Sequence, residues 1–212
     1  MVRCVPPKEL MEGKILIETR PSRGLRWALL LRCAFALACL LVCLPASIEA
    51  QVKPSEYDVK AAYLFNFARF VRFAPSSEPR GTFDICILGS DTIGRTLEQI
   101  TAGETIDKRP VRVMHVPDPT NGRNCAVLFI SASERDGLRE DLAILTGSDV
   151  LTVSDLPDFL ERGGMIQFVL EGDHVRFEVN LEAVNRSHLS LSSELLRVAA
   201  SIKGRPGPGG RR

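Results

Sequence analysis

The loop Gly89-Ser90-Asp91-Thr92-Ile93-Gly94 is the first place in this chain where residue type and spacing suggest chemistry. It follows the apolar run "FDICIL" and opens a periodic segment, so its backbone N–H groups could receive an anion at a helix start. It is neither GxGxxG nor a Walker A loop, since no Lys-Ser/Thr follows. Glycine turns between strand and helix are ordinary in α/β chains. Asp155, Asp158 and Glu161 form a second candidate, a carboxylate cluster, but acidic residues at a helix start are favoured by the dipole alone. There is no Gly-x-Ser-x-Gly elbow, and no nucleophile, base and orienting group come together. His115, His174 and His188 share no ligand spacing with a cysteine, so neither metal nor cofactor is expected. The chain does not read as an enzyme.

A different kind of chemistry is suggested by "AAYLFNFARFVRF", residues 61–73, in a chain that is only 6% aromatic. On a helical wheel Tyr63, Phe67 and Phe70 share one face, the pattern of a core-facing helix. Phe65, Arg69, Arg72 and Phe73 fall on the other side, with Asp58 and Asn66. Aromatic residues and arginine are enriched at interfaces, so this second group is the candidate partner-binding surface. The alternative is that the sheet or the last helix covers it.

The elements that position these residues alternate. A helix is expected over 57–73, stopped by Pro75, then a strand at 83–88 and a helix at about 92–100. Strands follow at 111–116, 126–130 and 150–153. Ser133 caps a helix to about Leu145, and Ser154-Asp155 caps a helical turn through Leu160. Residues 165–180 read as a hairpin around Gly172-Asp173, and 193–202 as a last amphipathic helix. Alternating strands and helices predict an α/β single domain with a mostly parallel sheet flanked by helices and a C-terminal antiparallel hairpin at its edge.

The ends differ from the body. Residues 51–202 hold 16 Lys+Arg against 22 Asp+Glu, without the basic stripe that nucleic-acid binding needs. Arg20, Arg23 and Arg26 precede the apolar run Cys33–Ile48, and small residues follow at Ala46, Ser47 and Ala50, the order of a secretory signal peptide. The alternative is an uncleaved inner-membrane anchor, although this run is shorter than the roughly 20 residues a span requires. The division expected is a leader at 1–50, one domain at 51–203 and a disordered tail at 204–212. Export leaves Cys86 and Cys125 in the mature chain. An oxidising compartment favours pairing them; two unpaired cysteines packed as small hydrophobes are the alternative.

The ordered blocks "YDVKAAYLFNFARFVRFAP", "CILGSDTIGRTLEQI", "KRPVRV", "CAVLFIS", "VLTVSDLPDFLERGGMIQFVLEGDHVRFEVNLEAV" and "LSSELLRVA" resemble the YfiR family of periplasmic proteins. The resemblance covers nearly all of residues 57–203. It implies a small exported α/β regulator that represses an inner-membrane diguanylate cyclase, or a related sensor, by binding its periplasmic part. Cyclic di-GMP signalling and biofilm formation then stay low. It also implies a disulfide between Cys86 and Cys125. A second cysteine pair, expected near residues 160–167, has no counterpart here, and "VRFAP" stands where the family more often has an acidic residue and Trp before Pro. A homodimer is compatible with this reading. The alternative function is a periplasmic small-solute-binding or sensor accessory protein, with Gly89–Gly94 at its pocket.

Overall fold

The computed structural model describes residues 54–73 and 81–204, all within the unit Val52–Arg212. The leader expected at 1–50, the stop at Pro75 and, apart from Gly204, the expected tail lie outside the described residues.

Along the chain α1 (Glu56–Phe70) leads into β1 (Val71–Arg72). There follow β2 (Phe83–Leu88), α2 (Ile93–Thr101), β3 (Thr105–Ile106), β4 (Arg109–Val116), α3 (Pro119–Gly122), β5 (Val127–Ile130), a 3-10 turn (Ala132–Glu134), α4 (Leu138–Leu145) and β6 (Leu151–Ser154). The remaining elements are β7 (Ile166–Glu171), β8 (His174–Asn180), α5 (Leu181–Asn185), β9 (Ser190–Leu191), α6 (Ser193–Val198) and β10 (Ser201–Lys203).

The main sheet has the order β3-β4-β2-β5-β6-β7-β8-β10. Strands β4, β2, β5, β6 and β7 are parallel to one another. The chain steps from β2 to β4 on one side, then crosses to β5 on the other, so the winding reverses at β2 as in doubly wound folds. The hairpin of β7 and β8 forms around Gly172 at φ 63, which a side chain would resist.

Period-two alternation divides the core. Ile85 and Ile87 point to the side covered by α1 and α2, with Phe67, Leu97, Phe129 and Val153. Cys86 and Leu88 point to the side covered by α4, with Leu128, Leu138, Leu142 and Phe159. Both faces of β2 are therefore buried, and its six residues read as a nearly continuous apolar run. Cys86 on β2 and Cys125 just before β5 are joined by a disulfide, their Cα atoms 6.0 Å apart. The reading of two unpaired cysteines does not hold.

The α/β class is as expected, but several boundaries move. The segment 193–202 is not one helix: α6 ends at Val198, and the N–H of Ala200 donates to Phe177 O at 2.8 Å. This draws Ser201–Lys203 alongside β8 as a parallel strand, so β10 lies outside the hairpin at that edge. Ser133 does not start a helix; it belongs to the 3-10 turn, and α4 begins after Gly137. No helical turn follows Ser154. Its hydroxyl donates to Ile130 O at 2.7 Å and accepts from Leu156 N–H at 3.1 Å, and consecutive turns run on from there to residue 163.

Candidate functional site

Helix α1 is set by its first turn. Ser55 Oγ accepts from the Asp58 N–H at 3.2 Å, while the Asp58 carboxylate accepts from the Ser55 N–H at 2.9 Å, a reciprocal capping box. The Ser55 hydroxyl, which also donates to Oδ2 of Asp58 at 2.8 Å, and then the Ser55 N–H hold the Asp58 carboxyl below its ordinary value. The helix ends at Phe70 because Val71 turns extended and pairs with Leu191 of β9, three residues before the expected end.

The face of α1 that meets the sheet consists of Ala61, Leu64, Phe67 and Ala68. Phe67 packs edge-on to Phe177 at 4.9 Å and stacks with Phe168 at 5.8 Å. The wheel drawn from the aromatic residues alone is thus rotated from the true one. Small Ala61 and Ala68 let the helix backbone approach the strands, and the larger rings sit on its flanks. Tyr63 is half-buried, and Phe70, expected in the core, is 41% exposed.

The four residues expected to form the partner surface divide into two pairs. Phe65 and Arg69, one helical turn apart, are brought together: the guanidinium lies 5.7 Å from the ring centroid, in range of a cation–π contact. Phe65 is half-buried and Arg69 exposed. Arg72 is also exposed, but it belongs to β1, opposite Ser190, rather than to the helix. Phe73 packs edge-on against Phe83 at 5.5 Å and is half-buried. The exposed part of this region is therefore Arg69, Phe70 and Arg72, with Phe65 as a platform.

Sequence reasoning missed Lys60. It is 5% exposed, and its ammonium lies 2.6 Å from both Glu56 and Asp155. Burial pulls its pKa down, but the hydrogen bonds to Asp155 and Glu56 outweigh that and hold it above the ordinary lysine value. The available signal was its spacing: Lys60 stands four before Leu64 and seven before Phe67, on the apolar face. Asp155 is accordingly a tether for α1, and Asp158 lies in a turn at φ 59, so the two are not at a helix start.

The Gly89–Gly94 loop follows the switch strand, and two of its backbone donors are engaged by the chain itself. The Ser90 N–H donates to Ser133 Oγ at 2.9 Å and the Ile93 N–H to Asp91 Oδ1 at 2.7 Å. Ser131 Oγ, Ser133 Oγ and Glu134 Oε1 fill the space where a side chain on Gly89 would stand. Among the described residues, no group of three or more His, Cys, Asp or Glu could hold a metal ion. No helix among them is long and apolar enough to cross a membrane.

The described residues form a doubly wound α/β domain whose first helix is tethered through Lys60 to Asp155 and ends in exposed Arg69 and Phe70, with exposed Arg72 following on β1. The chain belongs to the YfiR/HmsC-like family, whose model, DUF4154, matches residues 57–200. No curated protein matches the chain significantly. Among solved structures it is similar to a conserved domain protein from Vibrio cholerae O1 biovar El Tor, at 9% identity and a TM-score of 0.51, covering 70% of this chain and 60% of that one. It is also similar to the ABC domain in complex with L-Trp from Streptococcus pneumonia, at 11% identity and a TM-score of 0.47, covering 67% and 61%. The chain thus spans about three fifths of each. The first is a likeness of fold alone, and the second adds nothing to it.

Proposed function

We propose that this protein is a periplasmic, non-catalytic regulator that represses an inner-membrane diguanylate cyclase by binding its periplasmic part. The observation that carries this reading is the family match across residues 57–200. Exposed Arg69 and Phe70 at the end of α1 and exposed Arg72 on β1 support it, since aromatic residues and arginine anchor interfaces. Phe65 backs Arg69 from the same helix, and Phe73 braces the segment against the core. On this reading residues 1–50 direct export, 51–203 form the binding domain, and the disulfide suits an oxidising compartment. Cyclic di-GMP, measured in cells lacking the protein and in cells with it restored, should be higher without it. Equal levels would count against repression.

A further inference from the structure

The surface at the end of α1 is segregated by charge. Residues 59–73 contain no carboxylate, and neither do residues 187–193, which lie beside them. The Ser192 N–H donates to Phe70 O at 3.0 Å and Ser190 stands opposite Arg72, so the two stretches form one surface. The next acid along the chain, Glu194, is engaged at the start of its own helix, with Arg197 as its nearby cation. All this sits in a body, residues 51–202, that holds 22 Asp+Glu against 16 Lys+Arg.

Neither Arg69 nor Arg72 makes an ion pair among the described residues. Both are nevertheless held. The Arg69 guanidinium lies 5.7 Å from the Phe65 ring centroid, and the backbone of Arg72 is fixed by the β1–β9 pairing. Guanidinium groups placed in advance lose less side-chain freedom when a partner binds. Phe70 stands between them in the chain and is 41% exposed.

We propose that this surface docks an acidic segment of the partner protein, one in which carboxylates flank an apolar side chain; the proposal rests on the regulatory reading above. The carboxylates meet Arg69 and Arg72, whose planar forks suit two-point pairing, and the apolar side chain covers Phe70. A lipid surface fits less well, because anionic membranes are recognised through clusters of about four to eight basic residues. Here two arginines and one ring make a smaller, more specific mark.

Photo-crosslinking of the full-length protein in intact cells tests this, with Phe70→p-benzoylphenylalanine as the probe and mass spectrometry to read the adduct. The linked peptide should carry carboxylates on both sides of the linked residue, within about one helical turn of it. In the same probe protein, Arg69→Gln/Arg72→Gln should lower the adduct roughly tenfold, the factor that one charge-assisted contact supplies. Arg69→Lys/Arg72→Lys, which keeps the charge, should retain a larger share, and an unchanged circular dichroism spectrum shows that both variants fold. An acid-free peptide, a lipid adduct, a second copy of this chain, no adduct, or equal yields from all three proteins would overturn the proposal. An acid-free peptide from a membrane cyclase would leave the regulatory reading standing, whereas an acidic peptide from another protein would support the docking chemistry and remove the cyclase.

Discussion

Lys60 and Asp155, 95 residues apart in the chain, meet at 2.6 Å and join the first helix to the turn after β6. The lysine is almost fully buried, so the pair fixes the helix rather than decorating the surface. Lys60→Met leaves Asp155 and Glu56 facing each other without a cation and should cost about 3 kcal/mol in urea unfolding. Because the pKa of Lys60 is raised in the folded protein, its contribution is complete at neutral pH. It is lost only as pH rises through that raised value. A Lys60→Met variant as stable as the wild type would remove the tether from the account.

The disulfide closes the chain from the centre of the sheet to the entry of the next strand. Its two cysteines are 39 positions apart, and reduction should lower stability by about 2–4 kcal/mol, read as a fall in the urea midpoint. A Cys86→Ala/Cys125→Ala protein should show the same loss and no further response to reductant. Equal midpoints before and after reduction would mean that the bond constrains nothing.

Gly164 accounts for part of the "GGMI" block in packing terms. A side-chain carbon there would run into the ring of Phe159, which is wholly buried. Gly164→Ala should therefore destabilise by about 1–3 kcal/mol. Gly103→Ala offers a contrast, because nothing lies within 4 Å of its added carbon and the cost comes from its φ of 77 alone. Were Gly164→Ala neutral, the ring would have room that the packing denies it.

Asp141 carries a carboxylate oxygen, Oδ2, that is buried and makes no hydrogen bond among the described residues. Burial, then Glu134 and Glu140, push its pKa up. For an acid with a raised folded value, ionisation opposes folding, so stability falls as pH rises from the unfolded value through the folded one. Asp141→Asn should thus be more stable than the wild type at neutral pH, and the gain should vanish below about pH 4. Thermal melts at several pH values check both halves, and a gain that persists in acid would point to another cause.

Strands were more legible than the ends of helices. Buried β2 announces itself as "FDICIL", and the Gly172-Asp173 turn marks the hairpin of β7 and β8, because local composition alone decides both. The end of α1 was not legible. Val71 leaves the helix to pair with Leu191, 120 positions away, and no local signal reports such a partner. Lys60 was passed over for a related reason: its carboxylate partner Asp155 lies in a different part of the chain. Phe70 was misplaced because ring size drew the wheel, whereas the close approach of α1 to the sheet is governed by alanines.

Crosslinking of the tagged full-length protein in intact cells, followed by mass spectrometry, tests the regulatory reading most directly. The wild type should recover an inner-membrane diguanylate cyclase, and an Arg69→Glu/Arg72→Glu variant with an unchanged circular dichroism spectrum should recover far less. Recovery of no membrane cyclase would contradict repression by contact. Equal recovery by both proteins would contradict the surface at the end of the first helix.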